Sequence, residues 1–305
     1  MKTLFPLFII LVTALVSCKN EDDKNPTVNN PTAFGLSYAQ SKQDFNTTFN
    51  SLQTALEANA NISIVAIVDH QMNAQNVNLE LRPTREILFG NPAIGTPIMQ
   101  ENQLAGLELP QKMLVYQDID NNVFVGYNSA NFIAARHEGT GNASTFSQLS
   151  TALKNLAEGA SNGTVSENSS TSVTNKQGII SLASNNDFNT TYNKIKDAIT
   201  ANSNHMLVAE LDHKANAASV GLTLRPTRLI IFGNPNLGTP LMQNSQTTAI
   251  DLPQKMLVWE AEDGTINVSY NDPAYLALRH GISGNTETIN TIANALNTLA
   301  SEATN

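Results

Sequence analysis

The chain has 305 residues, of which 41% are hydrophobic and 14% charged, and this length and composition suit two domains of ordinary size, each with its own core. The formal net charge is −9. An acidic surface repels polyanions, so we expect no nucleic-acid partner, and a single cysteine excludes an internal disulfide framework.

The first 33 residues have the pattern of a secretion signal followed by a tether. Lys2 precedes an apolar segment, Leu4 to Val16, which is too short to span a membrane and is typical of a signal-peptide core. We therefore predict a signal peptide at residues 1–17. Residues 18–33 are rich in Asn, Asp and Pro and predict a flexible tether.

Residues 15–18, Leu-Val-Ser-Cys, resemble a bacterial lipobox, a motif in which the cysteine is lipidated and becomes the first residue of the mature protein. The resemblance implies lipidation at Cys18, and several acyl chains on one residue make a firm membrane anchor. The next residue is Lys19, and the absence of Asp there resembles lipoproteins sent to an outer membrane. We expect an outer-membrane lipoprotein that faces the periplasm or the cell surface.

The rest of the chain is one module written twice. Residues 41–159 align with residues 184–302 at a constant offset of 143 positions without a gap, and 56 of the 119 aligned positions are identical. Residues 160–176, rich in Ser, Thr and Asn, predict a linker. The predicted domains are therefore module 1 at residues 34–159 and module 2 at residues 177–305.

Each module begins with a short apolar stretch, at residues 34–39 and 179–183, that ends before Ser41 or Ser184, which we predict as helix N-caps. Apolar residues then recur at helical spacing and predict one buried helix face. In module 1 they are Phe45, Phe49, Leu52 and Leu56, and in module 2 Phe188, Tyr192, Ile195 and Ile199.

Strands and a final helix follow in each module. The predicted strands are Ile62–Val68 with its counterpart His205–Leu211, then Ile87–Phe89, Lys112–Tyr116 and Val123–Tyr127. The final helix has Phe146, Leu149, Leu153 and Leu156 on its apolar face, matched by Ile289, Ile292, Leu296 and Leu299. This order predicts an α+β fold, an antiparallel sheet with helices on one face, in two tandem copies.

A set of spaced motifs in module 2 resembles a known family. The segments are Asp212–His213, Leu224–Arg228, Phe232–Pro235, Gly238–Gln243, Asp251–Pro253, Tyr270–Leu276 and Arg279–Gly281. They resemble the domain-of-unknown-function family numbered 302, here in tandem. The resemblance implies a fold similar to that of the TATA-binding protein, a curved antiparallel sheet with two helices, and it implies no activity. Module 1 departs from the pattern at residues 128–132 and at Glu138. If that region forms a site, module 2 is the better candidate for it.

All six arginines fall into three equivalent pairs: Arg82/Arg225, Arg85/Arg228 and Arg136/Arg279. Only one pair of lysines, Lys112/Lys255, is retained in this way. Arginine is favoured where its planar guanidinium meets a fixed partner. That partner is either an internal carboxylate, such as Asp69 or Asp212, or an anionic ligand held by two hydrogen bonds.

Four of the five histidines are also paired, as His70/His213 and His137/His280. No cysteine pattern, HExxH motif or acidic cluster accompanies them, so we predict neither a metal nor a cofactor. The chain has no nucleophile-elbow motif, and we predict no catalytic residue. Acid–base chemistry by His137 or His280 with a tyrosine such as Tyr270 is an alternative.

The most strongly retained segment is residues 79–100, where 16 of 22 positions match residues 222–243. Thr96 followed by Pro97 predicts the start of a short helix. Helix N-termini bind anions, and Arg82 or Arg85 near Thr96 would complete an anion pocket. The alternative is a rigid loop that packs the sheet edge.

The sequence therefore predicts a non-catalytic, membrane-anchored binding protein for a small anion or an envelope protein, with two modules paired about a pseudo-twofold axis. Two alternatives stay open, an enzyme with its site in module 2 and a passive structural protein of the envelope. The predicted ligand-binding residues are Arg82, Arg85, Arg136, His137, Arg225, Arg228, Tyr270, Arg279 and His280.

Overall fold

The computed structural model describes residues 29–305. The predicted signal peptide, Cys18 and most of the predicted tether lie outside the described residues. Residues Pro31–Asn305 form one compact unit, and of the N-terminal unit Met1–Asn30 only the exposed Asn29 and Asn30 are described. Within residues 29–305 no helix has the length and apolar character needed to cross a membrane.

Module 1 alternates strands and helices around a single antiparallel sheet. Its elements are β1 (Leu36–Gln40), α1 (Phe45–Glu57), β2 (Ser63–Asp69), α2 (His70–Gln75), β3 (Thr84–Gly90), α3 (Pro92–Glu101), β4 (Gln111–Gln117), β5 (Val123–Asn128), α4 (Ala130–Arg136) and α5 (Phe146–Ser161). A short strand in the linker, β6 (Ser166–Glu167), pairs with β1, so the strand order is β2-β3-β4-β5-β1-β6.

Module 2 repeats this arrangement. Its elements are β7 (Ile179–Ser184), α6 (Phe188–Ala201), β8 (Met206–Asp212), α7 (His213–Ser219), β9 (Thr227–Gly233), α8 (Pro235–Asn244), β10 (Gln254–Glu260), β11 (Ile266–Asn271), α9 (Pro273–Arg279) and α10 (Thr286–Thr304). The strand order β7-β11-β10-β9-β8 is that of module 1 without the strand from the linker. The predicted α+β class, with two antiparallel sheets, is confirmed.

The predicted helix starts were wrong in both modules. Asp44 caps α1, since its carboxylate accepts from the Thr47 backbone N–H, and Ser41 instead bonds the Thr48 hydroxyl. Similarly, α3 begins at Pro92 with Asn91 as its cap. Thr96 and Pro97 therefore lie inside the helix, because an Asn followed by Pro already supplies the cap and the first helical residue.

One face of each sheet is covered by helices, and alternate side chains of each strand point to that face. Ile87, Phe89, Met113 and Val115 face α1 and α5 and form the core of module 1 with Phe49, Leu52 and Leu153. Module 2 builds the same core from Ile230, Phe232, Met256 and Val258. Successive strand side chains point to opposite faces, so the residues between these positions lie on the other face of each sheet.

That other face is covered by the second module. Leu88 and Val68 of module 1 pack with Leu229, Ile231 and Leu257 of module 2 in one apolar cluster. Strands β3 and β9 are thus buried on both faces, which explains their uninterrupted apolar segments Ile87–Phe89 and Leu229–Phe232. The two modules therefore share a core.

Candidate functional site

Arg136 and Arg279 lie inside the contact between the modules, at 1% and 2% exposure. Arg279 donates to Asp251 Oδ2 at 2.8 Å within its own module and to Asn128 Oδ1 of module 1 at 2.8 Å. Arg136 makes the reciprocal bonds, to Glu108 Oε1 at 2.5 Å and to Asn271 Oδ1 of module 2 at 2.8 Å. Reciprocal pairs of this kind are the signature of a twofold-related interface.

His137 and His280 each contact the carboxylate that pairs with the neighbouring arginine. His137 Nε2 lies 3.4 Å from Glu108 Oε1. His280 Nε2 lies 2.7 Å from Asp251 Oδ2, and its Nδ1 lies 2.9 Å from the Thr247 hydroxyl. Burial by itself raises the pKa of Asp251, but the charge of Arg279 and the hydrogen bond with His280 outweigh it, so the pKa lies well below its usual range. Burial also lowers the pKa of His280. The cluster is therefore buried, and in each module the charge of the arginine is neutralised by the carboxylate it contacts.

The remaining arginines also have partners within the protein. Arg85 and Arg228, about a third exposed or less, pair with Asp69 and Asp212 at 2.6 and 2.9 Å. Arg82 Nε donates across the module boundary to Gln246 Oε1 at 3.1 Å, and Arg225 Nε makes the reciprocal bond to Gln103 at 2.9 Å. The two glutamines, which the sequence did not single out, each continue to a buried threonine of the opposite module.

Tyr270 is fully buried on the helix-covered face of module 2, and its hydroxyl has no hydrogen-bond partner among the described residues. Burial raises its pKa. Arg279 and His280 lie with Asp251 in the contact between the modules, so the predicted enzyme residues do not open onto a common cavity.

Two clefts lie elsewhere, where a loop of one module meets the short helix of the other. Cleft 1 is formed by residues 89–99 and 109–111 of module 1, by α5, and by Leu211, His213 and Asn216 of module 2. Cleft 2 is formed by the matching segments of module 2 and by Val68, His70 and Asn73 of module 1. In both clefts a cis proline, Pro110 or Pro253, belongs to the wall.

The two clefts are related by the sequence repeat. Each of the 19 residues that line cleft 2 has its equivalent in the wall of cleft 1, and 14 of these 19 pairs are identical residues. Across the whole module 56 of 119 pairs are identical. The cleft walls are therefore more strongly retained than the modules that build them.

The cleft walls are apolar with a few buried polar atoms. Thr96 Oγ1 and His213 Nε2 in cleft 1, and Thr239 Oγ1 and His70 Nε2 in cleft 2, are buried without a hydrogen-bond partner among the described residues. These residues are at most 4% exposed. Buried polar groups are almost always paired in proteins, so each of these atoms leaves a hydrogen bond unmade in a residue of the cleft wall.

No charged side chain lines the clefts, since neither wall includes Asp, Glu, Lys or Arg. The buried carboxylate of Glu86, which pairs with Lys112, lies 3.6 Å from His70 Nε2. Burial lowers the pKa of His213 to about 4, against smaller opposing effects of Asp212 and the Leu109 backbone, so this imidazole is neutral at pH 7. Among residues 29–305 no group of three or more His, Cys, Asp and Glu side chains is placed to hold a metal ion.

None of the nine predicted ligand residues lines either cleft. Sequence reasoning did note the His70/His213 pair and the retained segment that contains Thr96, but it assigned the ligand to the arginines. The density of identical positions around residues 89–99 was the signal that pointed to the clefts. The contribution of the opposite module could not be read from it.

Comparison with known proteins gives a family and no function. A family model described as "Domain of unknown function DUF302" matches residues 38–156 and 180–299. A crystal structure of the uncharacterized conserved protein DUF302 from Bacillus stearothermophilus aligns with 42% of this chain and 98% of its own, at 14% identity and a TM-score of 0.38.

Two curated relatives match a shorter part of the chain. "Fluoride-specific ion channel FluC 1" of Brucella suis biovar 1 and the protein of the same name from Brucella abortus biovar 1 are each 51% identical over 72 residues. This is 24% of the present chain and 28% and 27% of theirs. The matched segment is shorter than one module.

Proposed function

This chain belongs to the DUF302 family and carries the domain twice, and from that premise we propose that it is a ligand-binding protein of the cell envelope whose sites are the two clefts between its modules. The observation that carries the proposal is the repeated cleft itself. Each copy is lined by strongly retained residues and contains buried polar atoms that lack a partner. Apolar concave sites with a few such atoms are the usual form of a small-molecule site.

The clefts favour a neutral ligand. Moving an ionised group out of water costs much free energy unless a counter-charge receives it, and the cleft walls contain no charged side chain. All six guanidinium groups already have internal partners. We therefore propose a compact, largely apolar, uncharged molecule that hydrogen-bonds His213 and Thr96 in cleft 1.

A binding protein of this design depends on module pairing. Each cleft takes its loop from one module and His213 or His70 from the other, so a separated module would have an incomplete wall at each site. The shared apolar cluster and the buried Arg136 and Arg279 stabilise the pairing. By holding the two modules together, these arginines keep the two sides of each cleft in place.

The envelope location rests on the N-terminal sequence. Lipidation of Cys18 would anchor the chain to a membrane, and residues 19–33 would hold the paired modules away from its surface. Mass spectrometry of the mature N-terminus tests this part separately, because an unmodified Cys18 in the protein isolated from its native membrane would remove the anchor from the proposal.

One surface groove supports an anion as a second candidate ligand. Arg225, Lys214 and Gln100 border an open groove outside the clefts. The groove lining contains two basic residues and no acidic residue, so its net charge is positive. An anion would be exposed to solvent in it, so binding would be weak and sensitive to salt. Inorganic phosphate is the probe for this groove.

The test of the cleft proposal uses 4-fluorophenol, a neutral aromatic probe with one hydroxyl, observed by fluorine NMR. Ala152 on α5 and its equivalent Ala295 on α10 are partly exposed residues of cleft 1 and cleft 2. We expect Ala152→Trp, which fills cleft 1, to weaken binding at least tenfold. Binding that is unchanged in both Ala152→Trp and Ala295→Trp would remove the clefts as the site.

A further inference from the structure

We infer that the two clefts have diverged to bind different neutral ligands: cleft 1 a larger molecule with a single hydrogen-bonding group, and cleft 2 a smaller cyclic amide or related heterocycle with several. This inference rests on the proposed function. It adds the ligand class of each cleft and names the residues that separate them.

The first difference is size. The cavity volume is about 180 Å³ in cleft 1 and about 70 Å³ in cleft 2. Five of the 19 equivalent positions differ. Two of these are adjacent in the chain, at the entry to β2 and β8: Ile62 and Ser63 in cleft 1 are replaced by His205 and Met206 in cleft 2. Met206 is much larger than Ser63 and narrows cleft 2.

The second difference is the number of unpaired polar atoms. Cleft 1 has two, Thr96 Oγ1 and His213 Nε2. Cleft 2 has the equivalents of both and two more, His205 Nδ1 and Gln254 Nε2. In cleft 1 the amide equivalent to Gln254 is already satisfied, because Gln111 Nε2 donates to the Glu108 carbonyl oxygen at 3.2 Å.

The donor and acceptor types define the chemistry that cleft 2 recognises. The Gln254 amide nitrogen can only donate, so it requires an acceptor such as a carbonyl oxygen. The Thr239 hydroxyl can donate or accept, and the His205 imidazole can accept from an N–H. His70 Nε2 lies 3.6 Å from the buried Glu86 carboxylate, which favours an N–H at that position. A ring that alternates N–H and C=O groups offers carbonyl oxygens to Gln254 and Thr239 and an N–H to His205, whereas an apolar molecule would leave these three buried groups unpaired.

His205 is held in place for this role. Its ring lies 5.7 Å from the Phe232 ring, tilted by 59°, and Phe232 is retained as Phe89 in cleft 1. Burial lowers the pKa of His205, which favours the neutral imidazole that can accept a hydrogen bond. The equivalent residue in cleft 1, Ile62, packs against the core of module 1 and offers no polar atom.

The experiment compares two fluorinated probes on the full-length protein by fluorine NMR titration. 5-Fluorouracil represents the cyclic amide and 4-fluorophenol the molecule with one hydrogen-bonding group. We expect Ala295→Trp to weaken 5-fluorouracil at least tenfold and to leave 4-fluorophenol within twofold. Ala152→Trp should do the reverse, and these partly exposed alanines make the two variants matched controls.

A second variant tests the residues that separate the clefts. The double change His205→Ile and Met206→Ser gives cleft 2 the residues of cleft 1, so 5-fluorouracil should bind at least tenfold more weakly and 4-fluorophenol should gain a second site. The unfolding midpoint of each variant is measured as a control for folding. If a tryptophan variant fails to fold, the affinities of the double variant for the two probes test the inference.

The outcomes separate the two proposals. If each tryptophan variant weakens both probes equally and the double variant changes neither affinity, the clefts bind alike and the inference is overturned while the proposed function stands. If neither probe responds to any cleft variant, the proposed function fails and this inference with it.

Discussion

Arg279 provides a sharp test of how the modules are held together. Its guanidinium is 2% exposed and donates to Asp251 at 2.8 Å, to Asn128 of module 1 at 2.8 Å and to the Phe34 carbonyl at 3.1 Å. The substitution Arg279→Met keeps an unbranched apolar chain in the same space and removes the charge and all three bonds.

The expected cost follows from what remains behind. Asp251 is 1% exposed, and without Arg279 its charge keeps only the neutral imidazole of His280 as a close partner. Removing one partner of a buried ion pair costs about 3–5 kcal/mol, so we expect a loss of about 4 kcal/mol in the free energy of unfolding. Replacing Asp251 by Leu in the same protein should recover part of the loss, because the unpaired charge is then gone.

Arg228 is the matched control, since it also pairs with an aspartate, Asp212, at 2.9 Å. The side chains of this pair are 33% and 35% exposed, and exposed pairs contribute about 0–1 kcal/mol. Urea unfolding followed by circular dichroism measures both variants. A difference below about 1 kcal/mol between Arg279→Met and Arg228→Met would refute the argument that burial decides the value of these pairs.

Three further predictions test other parts of the structure. Lys112→Met should destabilise the protein by at least about 2 kcal/mol more than Lys255→Met in urea unfolding, because only Lys112 pairs with a fully buried carboxylate, Glu86, at 3.3 Å; equal losses would contradict this. The His213 pKa is lowered by burial to about 4, so between pH 6.5 and 4 the unfolded chain binds a proton that the folded chain excludes, and acidification should cost at most about 3 kcal/mol. His213→Leu should flatten this dependence when unfolding is compared at pH 7.5 and 5, and an unchanged slope would count against a buried neutral imidazole. Asp44→Ala removes the cap of α1 and should lower the free energy of unfolding by about 1 kcal/mol, seen as a lower thermal midpoint; no shift would show that Asp44 does not cap α1.

The local patterns in the sequence predicted the strands and the two long helices of each module, but not the short helices α2 and α4 or their counterparts α7 and α9. Apolar residues at helical spacing, such as Phe49 and Leu52, predicted the buried face of α1, and Ile87 and Phe89 predicted a strand facing the same core. These signals are reliable because a helix or strand repeats its exposure within a few residues of chain. The alignment of the two modules fixed the same elements in both copies.

The helix starts and the roles of the arginines needed the tertiary structure. Ser41 and Asp44 are both good N-cap residues, and only the path of the chain from β1 decides which of them precedes the first helical turn. A retained arginine looks the same in sequence whether it holds a ligand or a carboxylate. Arg82 finds its partner in Gln246, 164 positions later, and no local pattern encodes that distance.

The clefts show most clearly where sequence reasoning stops. The repeat alone determined that residues 79–100 and 222–243 are kept alike, and with them Thr96 and Thr239. Only the packing of one module against the other brings His213 to the loop of module 1 and His70 to that of module 2. At a twofold-related contact each module contributes the same residues, so both copies retain them. Retention in sequence therefore marks the contact surface. Which residue lies opposite each of them is decided by three-dimensional packing.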